Sequence, residues 1–323
     1  MSFVTSRRLL IAGAVFSALL PVASQAETPL NVAVVSRTVF YLPAWMAQKK
    51  DFFKAEGLDV TVNVYDSSDP IFQDLRAGKT QIAIASTESV IADAYKGGAI
   101  RIVAGNSQRP PHFIIAQPGI KTLADLKGKL MGVVSMHEGT TFFVPDIEKK
   151  AGLKAGEIKV EASGGSPARA KLLLERKIDA GMQPYPLSYE GEAKGLTNLG
   201  PVADIVPDYE FSAVMIDENW AHANTQVLTH FLRALRQGTA YMFAHPDEAA
   251  ELAATELHTT VPYARRAIDD TVRMDILSKD LSLRDASLRR VFDNVKSADL
   301  IGNDSTYQRD KFVDESYLKA SAQ

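Results

Sequence analysis

Hydrophobic and polar positions alternate along this chain in two regular ways. Short apolar runs such as "NVAVVS" and "QIAIAS" are typical of buried strands, and each precedes a segment with helical spacing of its apolar residues. Pro43 suits the first turn of a helix and Gly57 suits the left-handed residue that ends one, so an amphipathic helix is predicted between them. The strand "LDVTVNVYD" follows, which predicts a right-handed strand–helix–strand unit.

The same alternation continues through about two thirds of the chain and predicts an α/β fold with one or two sheets, rich in parallel pairs. The residues predicted to cap the starts of helices are Asp69, Ser86 or Thr87, Thr122 and Ser166. The rest of the chain is predicted to be mainly helical, with helices at 225–244, 246–257, 261–274 and 285–297.

The first 26 residues have a different character. Two arginines precede a short apolar run, Leu9–Leu20, and Ser24 and Ala26 have the small side chains that a signal peptidase reads. A membrane anchor is the alternative, but the run is shorter than the roughly 20 residues that span a bilayer. We therefore predict a signal peptide, residues 1–26, cleaved between Ala26 and Glu27 after export by the general route rather than the twin-arginine route.

Composition narrows the class of protein. The 323 residues carry a net charge of −3, which gives no indication of nucleic-acid binding. There is no cysteine, so a lipoprotein anchor and a disulfide framework are both excluded. No zinc-binding H-E-x-x-H, P-loop, dinucleotide or nucleophile-elbow motif occurs. We expect a periplasmic protein without cofactor, metal or catalytic residues.

Four stretches in order resemble one family: "YLPAWMAQKKDFFKAEGLDV", "DLRAGKTQIAIASTESVIAD", "TLADLKGKLMGVVS" and "FLRALRQGTAYMFAHPDEAAELAA". They are similar to substrate-binding proteins of ABC importers, in the NMT1/THI5-like and sulfonate, nitrate and taurine branch. The resemblance implies a two-lobed, type II Venus-flytrap fold with hinge crossings near Arg109–His112 and Tyr209–Ser212. Lobe one would comprise residues 27–109 and 213–323, including the helical C-terminal region, and lobe two residues 110–212.

The resemblance also implies a function. Such a protein captures a small organic ligand between its lobes and delivers it to the permease and ATPase subunits of an ABC importer. We expect a monomer that binds no nucleic acid. The branch includes enzymes that make the thiamine pyrimidine, but those carry a cysteine-rich motif that a chain without cysteine cannot have. An extracellular scaffold or sensor partner is a third alternative, because fold alone does not set function.

The candidate ligand-binding residues follow the carboxyl ends of predicted strands, where open α/β sheets bind ligands. They are Arg37, Tyr41, Asp66, Ser67, Ser68, Thr87, Glu88, Asn106, Ser135, His137, Thr140, Thr141, Ser166, Gln183, Tyr185 and Tyr209.

The chemistry of these residues suggests a ligand class. Arg37 and His137 are candidate cations, and the predicted helix starts favour a negative group. The aromatic residues among and beside the candidates, such as Phe40, favour a flat or apolar body. We predict a small organic anion such as a sulfonate or carboxylate, aromatic or not. Because Asp66 and Glu88 would repel an anion, a neutral or cationic heterocycle of the pyrimidine type is the alternative.

Overall fold

The computed structural model describes residues 27–136 and 139–322, together with Met1. The predicted signal peptide after Met1 and the candidate His137 therefore lie outside the described residues. Within them, no helix is both long enough and apolar enough to cross a membrane.

The described residues form ten strands. They are β1 (Thr28–Val34), β2 (Leu58–Val64), β3 (Ile82–Ser86), β4 (Ile100–Ser107), β5 (His112–Ala116), β6 (Leu130–Val133), β7 (Lys159–Ala162), β8 (Ala180–Pro184), β9 (Thr197–Pro201) and β10 (Ser212–Asp217). The α-helices are α1 (Leu42–Lys49), α2 (Phe52–Ala55), α3 (Ser68–Arg76), α4 (Thr87–Tyr95), α5 (Val144–Lys150), α6 (Ser166–Leu174), α7 (Leu187–Ala193), α8 (Glu218–Ala223), α9 (Thr225–Ala244), α10 (Pro246–Glu256), α11 (Val261–Arg273), α12 (Asp285–Ser297) and α13 (Ser316–Ser321). Short 3-10 helices cover Val39–Tyr41, Leu123–Leu126, Gly139–Phe143, Val202–Asp204 and Arg309–Lys311.

The strands form two five-stranded sheets, which confirms the predicted α/β class. Sheet 1 has the order β2-β1-β3-β10-β4 and sheet 2 the order β7-β6-β8-β5-β9. β1 pairs in parallel with β2 and β3, as β6 does with β7 and β8. β10 and β5, however, are antiparallel to both of their neighbours. The expectation of a parallel-rich sheet is therefore wrong, since half of the strand pairs are antiparallel.

The antiparallel strands follow from the way in which the chain passes between the sheets. The chain leaves β4 and enters β5 through residues 108–111, and it returns from β9 to β10 through residues 202–211. The parallel strands end at the edge of each sheet that faces the other sheet. A strand that arrives from the other sheet begins at this edge, so it must run the opposite way. Both passages lie where the two hinge crossings are predicted.

The helix predicted between Pro43 and Gly57 is interrupted. α1 ends at Lys49, and Asp51 adopts a left-handed φ of 56° before α2 begins. Leu42–Ala47 is buried on all sides rather than along one stripe, because α9 covers the face of α1 that would otherwise meet water. The approach is close enough that a Cβ on Gly238 would lie 2.5 Å from a carbonyl oxygen of α1.

The C-terminal helices match their predicted bounds closely and pack mainly on sheet 1. α9 covers α1 and α2, and Phe53 stacks on Phe231 with ring centroids 5.2 Å apart. Two predicted helix caps are wrong by one or two residues, since Ser67 and Gly165 hold the positions assigned to Asp69 and Ser166. Each helix begins at the serine that follows its cap, Ser68 in α3 and Ser166 in α6.

Candidate ligand-binding site

A cavity lies between the two sheets, at the ends of their parallel strands. It has an empty volume of about 490 Å³, part of which opens to solvent. Its lining residues are Val35, Ser36, Phe40, Tyr41, Ser68, Ser86, His112, Val134, Gly139, Thr140, Gly165, Ser166, Arg169 and Phe211. Both sheets contribute; His112 is the first residue of β5, and Phe211 is the last residue of the passage that leads to β10.

Three helices begin at this cavity. α3, α4 and α6 start beside the lining residues Ser68, Ser86 and Ser166, and each helix is nine residues long. None of the three has a side chain that caps its first-turn N–H groups. Unsatisfied N–H groups and the helix dipole give such a terminus a partial positive charge, which favours an anion. Prolines in the first turns of α3 and α6 remove some of these donors.

Arg169 on α6 supplies a full positive charge. The residue is only 1% exposed, and its guanidinium donates to Gly164 O at 2.6 Å, Ser166 Oγ at 3.2 Å and Met182 O at 3.0 Å. Its Nε has no partner, and no carboxylate among the described residues forms an ion pair with it. Burial lowers the pKa of Arg169 to about 10, so the side chain remains protonated at neutral pH. The cavity wall thus contains a buried cation that pairs with no carboxylate among the described residues.

His112 differs from Arg169 although it lines the same cavity. It is 3% exposed, and its ring meets Phe211 edge-on with centroids 4.9 Å apart. Burial, together with the positive charge of Arg169, holds the pKa of His112 well below its ordinary value. The imidazole is therefore neutral at physiological pH. With Phe40, whose ring lies edge-on to Phe211 at 5.9 Å, these rings form an apolar wall.

Four of the predicted ligand-binding residues line the cavity: Tyr41, Ser68, Thr140 and Ser166. Their hydroxyls also have structural partners. Thr140 Oγ1 accepts from Val134 N at 3.1 Å, and Ser68 Oγ accepts from the backbone N–H of Ser86 at 3.4 Å. These bonds orient the hydroxyls that face the cavity.

Four others lie directly behind the wall. The buried Glu88 accepts from Ser86 Oγ at 2.5 Å and from the Tyr209 hydroxyl at 2.8 Å. Asn106 donates to Phe40 O at 3.1 Å and holds the backbone beneath the apolar wall. Thr87 is fully buried, and its Oγ1 has no partner among the described residues. Glu88 therefore does not line the cavity itself but bonds to the hydroxyl of the lining residue Ser86.

A third group lies at the edge of the cavity. Asp66 and the half-buried Ser67 face Gly165, since a Cβ on Gly165 would lie 3.4 Å from Asp66 O. Ser135 and Thr141 are half-buried, and Thr141 Oγ1 donates to Ser135 O. These residues belong to loops that approach each other from the two sheets.

Three predicted residues are not brought to the cavity. The guanidinium of Arg37 pairs with Glu256 Oε2 at 3.0 Å, and its side chain is 39% exposed. Gln183 is buried on β8 outside the cavity lining. Tyr185 is buried too, and its hydroxyl accepts from Thr271 Oγ1 at 3.4 Å.

Sequence reasoning did not select five lining residues that contribute chemistry: Ser36, Ser86, His112, Arg169 and Phe211. Four of the five could have been selected from their positions in the sequence. Ser36 follows β1, Ser86 ends β3, and His112 and Phe211 lie in the predicted hinge crossings. Arg169 follows Ser166 by three residues, which places both on one face of α6. Its burial could not be read from that spacing. Within residues 27–136 and 139–322, no cluster of three or more metal-ligating His, Asp or Glu side chains occurs.

Comparison with known proteins places the chain in a family. A family profile described as NMT1/THI5 like matches residues 40–249. A Brucella abortus protein named as an inferred binding protein is 26% identical over 212 residues, and the match spans 65% of each chain. The chain thus spans slightly under two thirds of the length of that relative. A 4-amino-5-hydroxymethyl-2-methylpyrimidine phosphate synthase of Saccharomyces cerevisiae is 22% identical over 228 residues, 66% of each chain.

The fold has relatives of known structure. The periplasmic aliphatic sulphonate-binding protein SsuA of Escherichia coli superposes with a TM-score of 0.65 at 15% identity, covering 84% of this chain and 91% of that one. The likeness agrees with two α/β sheets that enclose a cavity. Together with the profile match over well over half of its length, it leads to one conclusion: the chain belongs to the NMT1/THI5-like family.

Proposed function

We propose that this protein is a periplasmic solute-binding protein that captures a small organic anion, such as a sulfonate or carboxylate. One observation carries the proposal: the buried Arg169 has no carboxylate partner among the described residues and lines a cavity where three uncapped helices begin. A buried cation is unfavourable unless a charged partner compensates it, so an anionic ligand would supply the partner that the described residues do not provide.

The rest of the wall suits an organic body on that anion. Phe40, Tyr41 and Phe211 line the cavity opposite the polar groups, and the neutral His112 adds a fourth ring. Aromatic side chains favour a flat or apolar ligand. The sulphonate named for the E. coli structural relative is an anion of this kind.

The cation that binds the anion is Arg169 rather than Arg37. Arg37 already has a carboxylate partner, Glu256, at the surface. A cationic heterocycle is the less suitable ligand, because none of the described lining residues is acidic. Pyrimidine synthesis is also disfavoured despite the yeast relative, since the chain has no cysteine from which the motif of those enzymes could be built.

The two sheets would act as two lobes, residues 27–109 with 213–323 and residues 110–212. A ligand that contacts both lobes favours the closed arrangement by its differential affinity, and the two passages between the sheets absorb the movement. The closed monomer would then dock on the permease of an ABC importer, which an ATPase subunit serves. The signal peptide would direct export, and its cleavage between Ala26 and Glu27 would release the mature protein into the periplasm.

The test begins by identifying, by mass spectrometry, the ligand that co-purifies with the native protein. Its affinity is then measured calorimetrically for wild type, Arg169→Met, Arg169→Lys and the matched surface variant Arg37→Ala. Loss of charge-assisted hydrogen bonds worth about 1.5–3 kcal/mol each should weaken binding about 100-fold in Arg169→Met. Arg169→Lys should lose less, and Arg37→Ala less than twofold.

Circular dichroism of each variant separates lost binding from lost folding. Unchanged affinity in a folded Arg169→Met would refute the anion site. Conversion of the bound ligand into a new chemical species by the purified protein would refute the carrier function.

A further inference from the structure

His112 carries hydrogen-bonding capacity that the fold leaves unused. It lines the cavity, yet its Nδ1 is fully enclosed and has no partner among the described residues. An enclosed Nδ1 cannot be reached by a ligand. Nε2 is consequently the ring nitrogen that can meet a ligand in the cavity.

The enclosed Nδ1 also determines where the imidazole proton resides. A neutral histidine carries one proton, on Nδ1 or on Nε2. Buried N–H groups without a partner are rarer in proteins than buried acceptors without one. The favoured tautomer therefore leaves a bare lone pair on the enclosed Nδ1 and places the N–H on Nε2, where it is a donor to the cavity.

The rings beside His112 fix its orientation. Phe211 meets the imidazole edge-on at 4.9 Å, and Phe40 lies 6.3 Å away on a tilted plane. These contacts restrict the rotation of the imidazole. The Nε2–H group of His112 therefore donates towards a position at the apolar wall of the cavity, and not towards the helix starts.

We propose that His112 determines specificity by donating a hydrogen bond from Nε2–H to a neutral acceptor oxygen on the body of the ligand. The inference rests on the proposed function, in which Arg169 binds the anionic group. It narrows the ligand class to carboxylates or sulfonates that also carry a carbonyl or similar oxygen on an apolar or aromatic body. Plain hydrocarbon anions would bind but leave the donor unsatisfied.

The test uses isosteric probes that differ only in this acceptor. 3-acetylbenzoate and 4-acetylbenzoate are compared with 3-isopropenylbenzoate and 4-isopropenylbenzoate, in which a CH₂ group replaces the carbonyl oxygen. Dissociation constants are measured by calorimetry or NMR titration at neutral pH. In wild type, at least one acetyl probe should bind about five- to tenfold more tightly than its isopropenyl partner, as expected for one neutral hydrogen bond.

Variants assign the preference to His112. The acetyl-to-isopropenyl affinity ratio should fall to about one in His112→Phe, which keeps a ring but has no donor. His112→Gln should retain part of the ratio because its amide nitrogen reaches the position of Nε2, whereas His112→Asn, which reaches only as far as Nδ1, should not. A wild-type ratio of one at both positions, or a ratio that persists in His112→Phe, would overturn the proposal.

Arg169→Met separates this proposal from the one on which it rests. It should weaken both members of each pair by the same factor and leave the ratio unchanged. If the affinities do not fall, the anion site is wrong; if they fall while the wild-type ratio is one, only the role of His112 is wrong. Failure of all four anions to bind wild type would overturn both.

Discussion

Two buried polar regions of this molecule differ in how their charges are balanced. Where α7 meets α11, the Tyr189 hydroxyl donates to Asp270 Oδ2 at 2.5 Å, and Arg273 donates to the other oxygen of the same carboxylate at 2.7 Å. The guanidinium of Arg266 lies over the Tyr189 ring, 3.9 Å from its centroid. At the cavity, Arg169 is more deeply buried than Asp270 or Arg273. Its described partners, however, are only two backbone oxygens and one hydroxyl.

This difference distinguishes the structural contact around Asp270 from the proposed binding site around Arg169. Around Asp270, acid, base and hydroxyl satisfy one another, so the contact joins sheet 2 to the C-terminal helices without help from a ligand. Two buried carboxyls next to lining residues have other partners: Glu88 accepts from two hydroxyls, and Glu210 accepts from the backbone N–H of Asn106. Under the proposed function, the charge of Arg169, which pairs with no carboxylate among the described residues, distinguishes the cavity from the contact around Asp270.

The largest expected effect concerns Glu210, the buried carboxyl next to the lining residue Phe211. Burial raises the pKa of Glu210 to about 8, against the partial opposing effects of the Asn106 N–H and the Arg284 charge. The folded state thus keeps a proton that the unfolded state loses near pH 4.5. Stability should fall as pH rises from about 5 to 8 and level off above 8, by about 4 kcal/mol in total.

Urea denaturation of wild type and Glu210→Gln across pH 5–8.5 measures this effect. The variant cannot ionise, so its stability should lack the fall. His112 changes the stability in the opposite direction below about pH 6.5. Its pKa is lowered in the folded protein, so acid protonates the unfolded chain first and the stability falls as the pH decreases. Since both proteins contain His112, the difference between them isolates Glu210. Parallel stability curves would show that Glu210 is ionised in the folded protein.

The next largest effect tests the balanced region. Asp270→Ala removes the acceptor of the Tyr189 hydroxyl, which should lower the free energy of unfolding by about 2 kcal/mol, as expected for a buried polar group left without a partner. Asp269→Ala is the matched control, because its carboxylate is 58% exposed and pairs only with Arg265 at 3.1 Å. It should cost under about 0.5 kcal/mol. Equal losses in the two variants would mean that the α7–α11 contact does not stabilise the fold.

The smallest effect is expected for Arg37→Ala, which removes a surface ion pair with Glu256. Such pairs contribute about 0.2–1 kcal/mol, so the melting temperature should fall by no more than a degree or two. Differential scanning calorimetry checks this. A larger loss would mean that Arg37 stabilises the fold to an extent comparable with Asp270. It would contradict the expectation that the surface ion pair contributes less than the buried contact.

Local pattern was enough to predict most of the elements. The predicted helix at 225–244 coincides with α9. These features were readable because the periodicity of apolar residues records which side of an element meets water, and because proline and glycine mark its ends. The single helix predicted between Pro43 and Gly57, which is divided into α1 and α2, shows where such patterns are insufficient. α1 is buried on all sides, so its apolar residues do not form the single stripe on which the prediction relied.

The chain by itself therefore determined the α/β class, the order of elements and the family resemblance. Only the tertiary structure decided which arginine faces the ligand cavity. Arg37 is one of the predicted ligand-binding residues, but its partner Glu256 is 219 residues away in sequence. Arg169 is an ordinary helix residue by its spacing, and it is buried because sheet 1 and sheet 2 approach each other over α6. Such pairings depend on contacts between distant segments, which local periodicity does not encode.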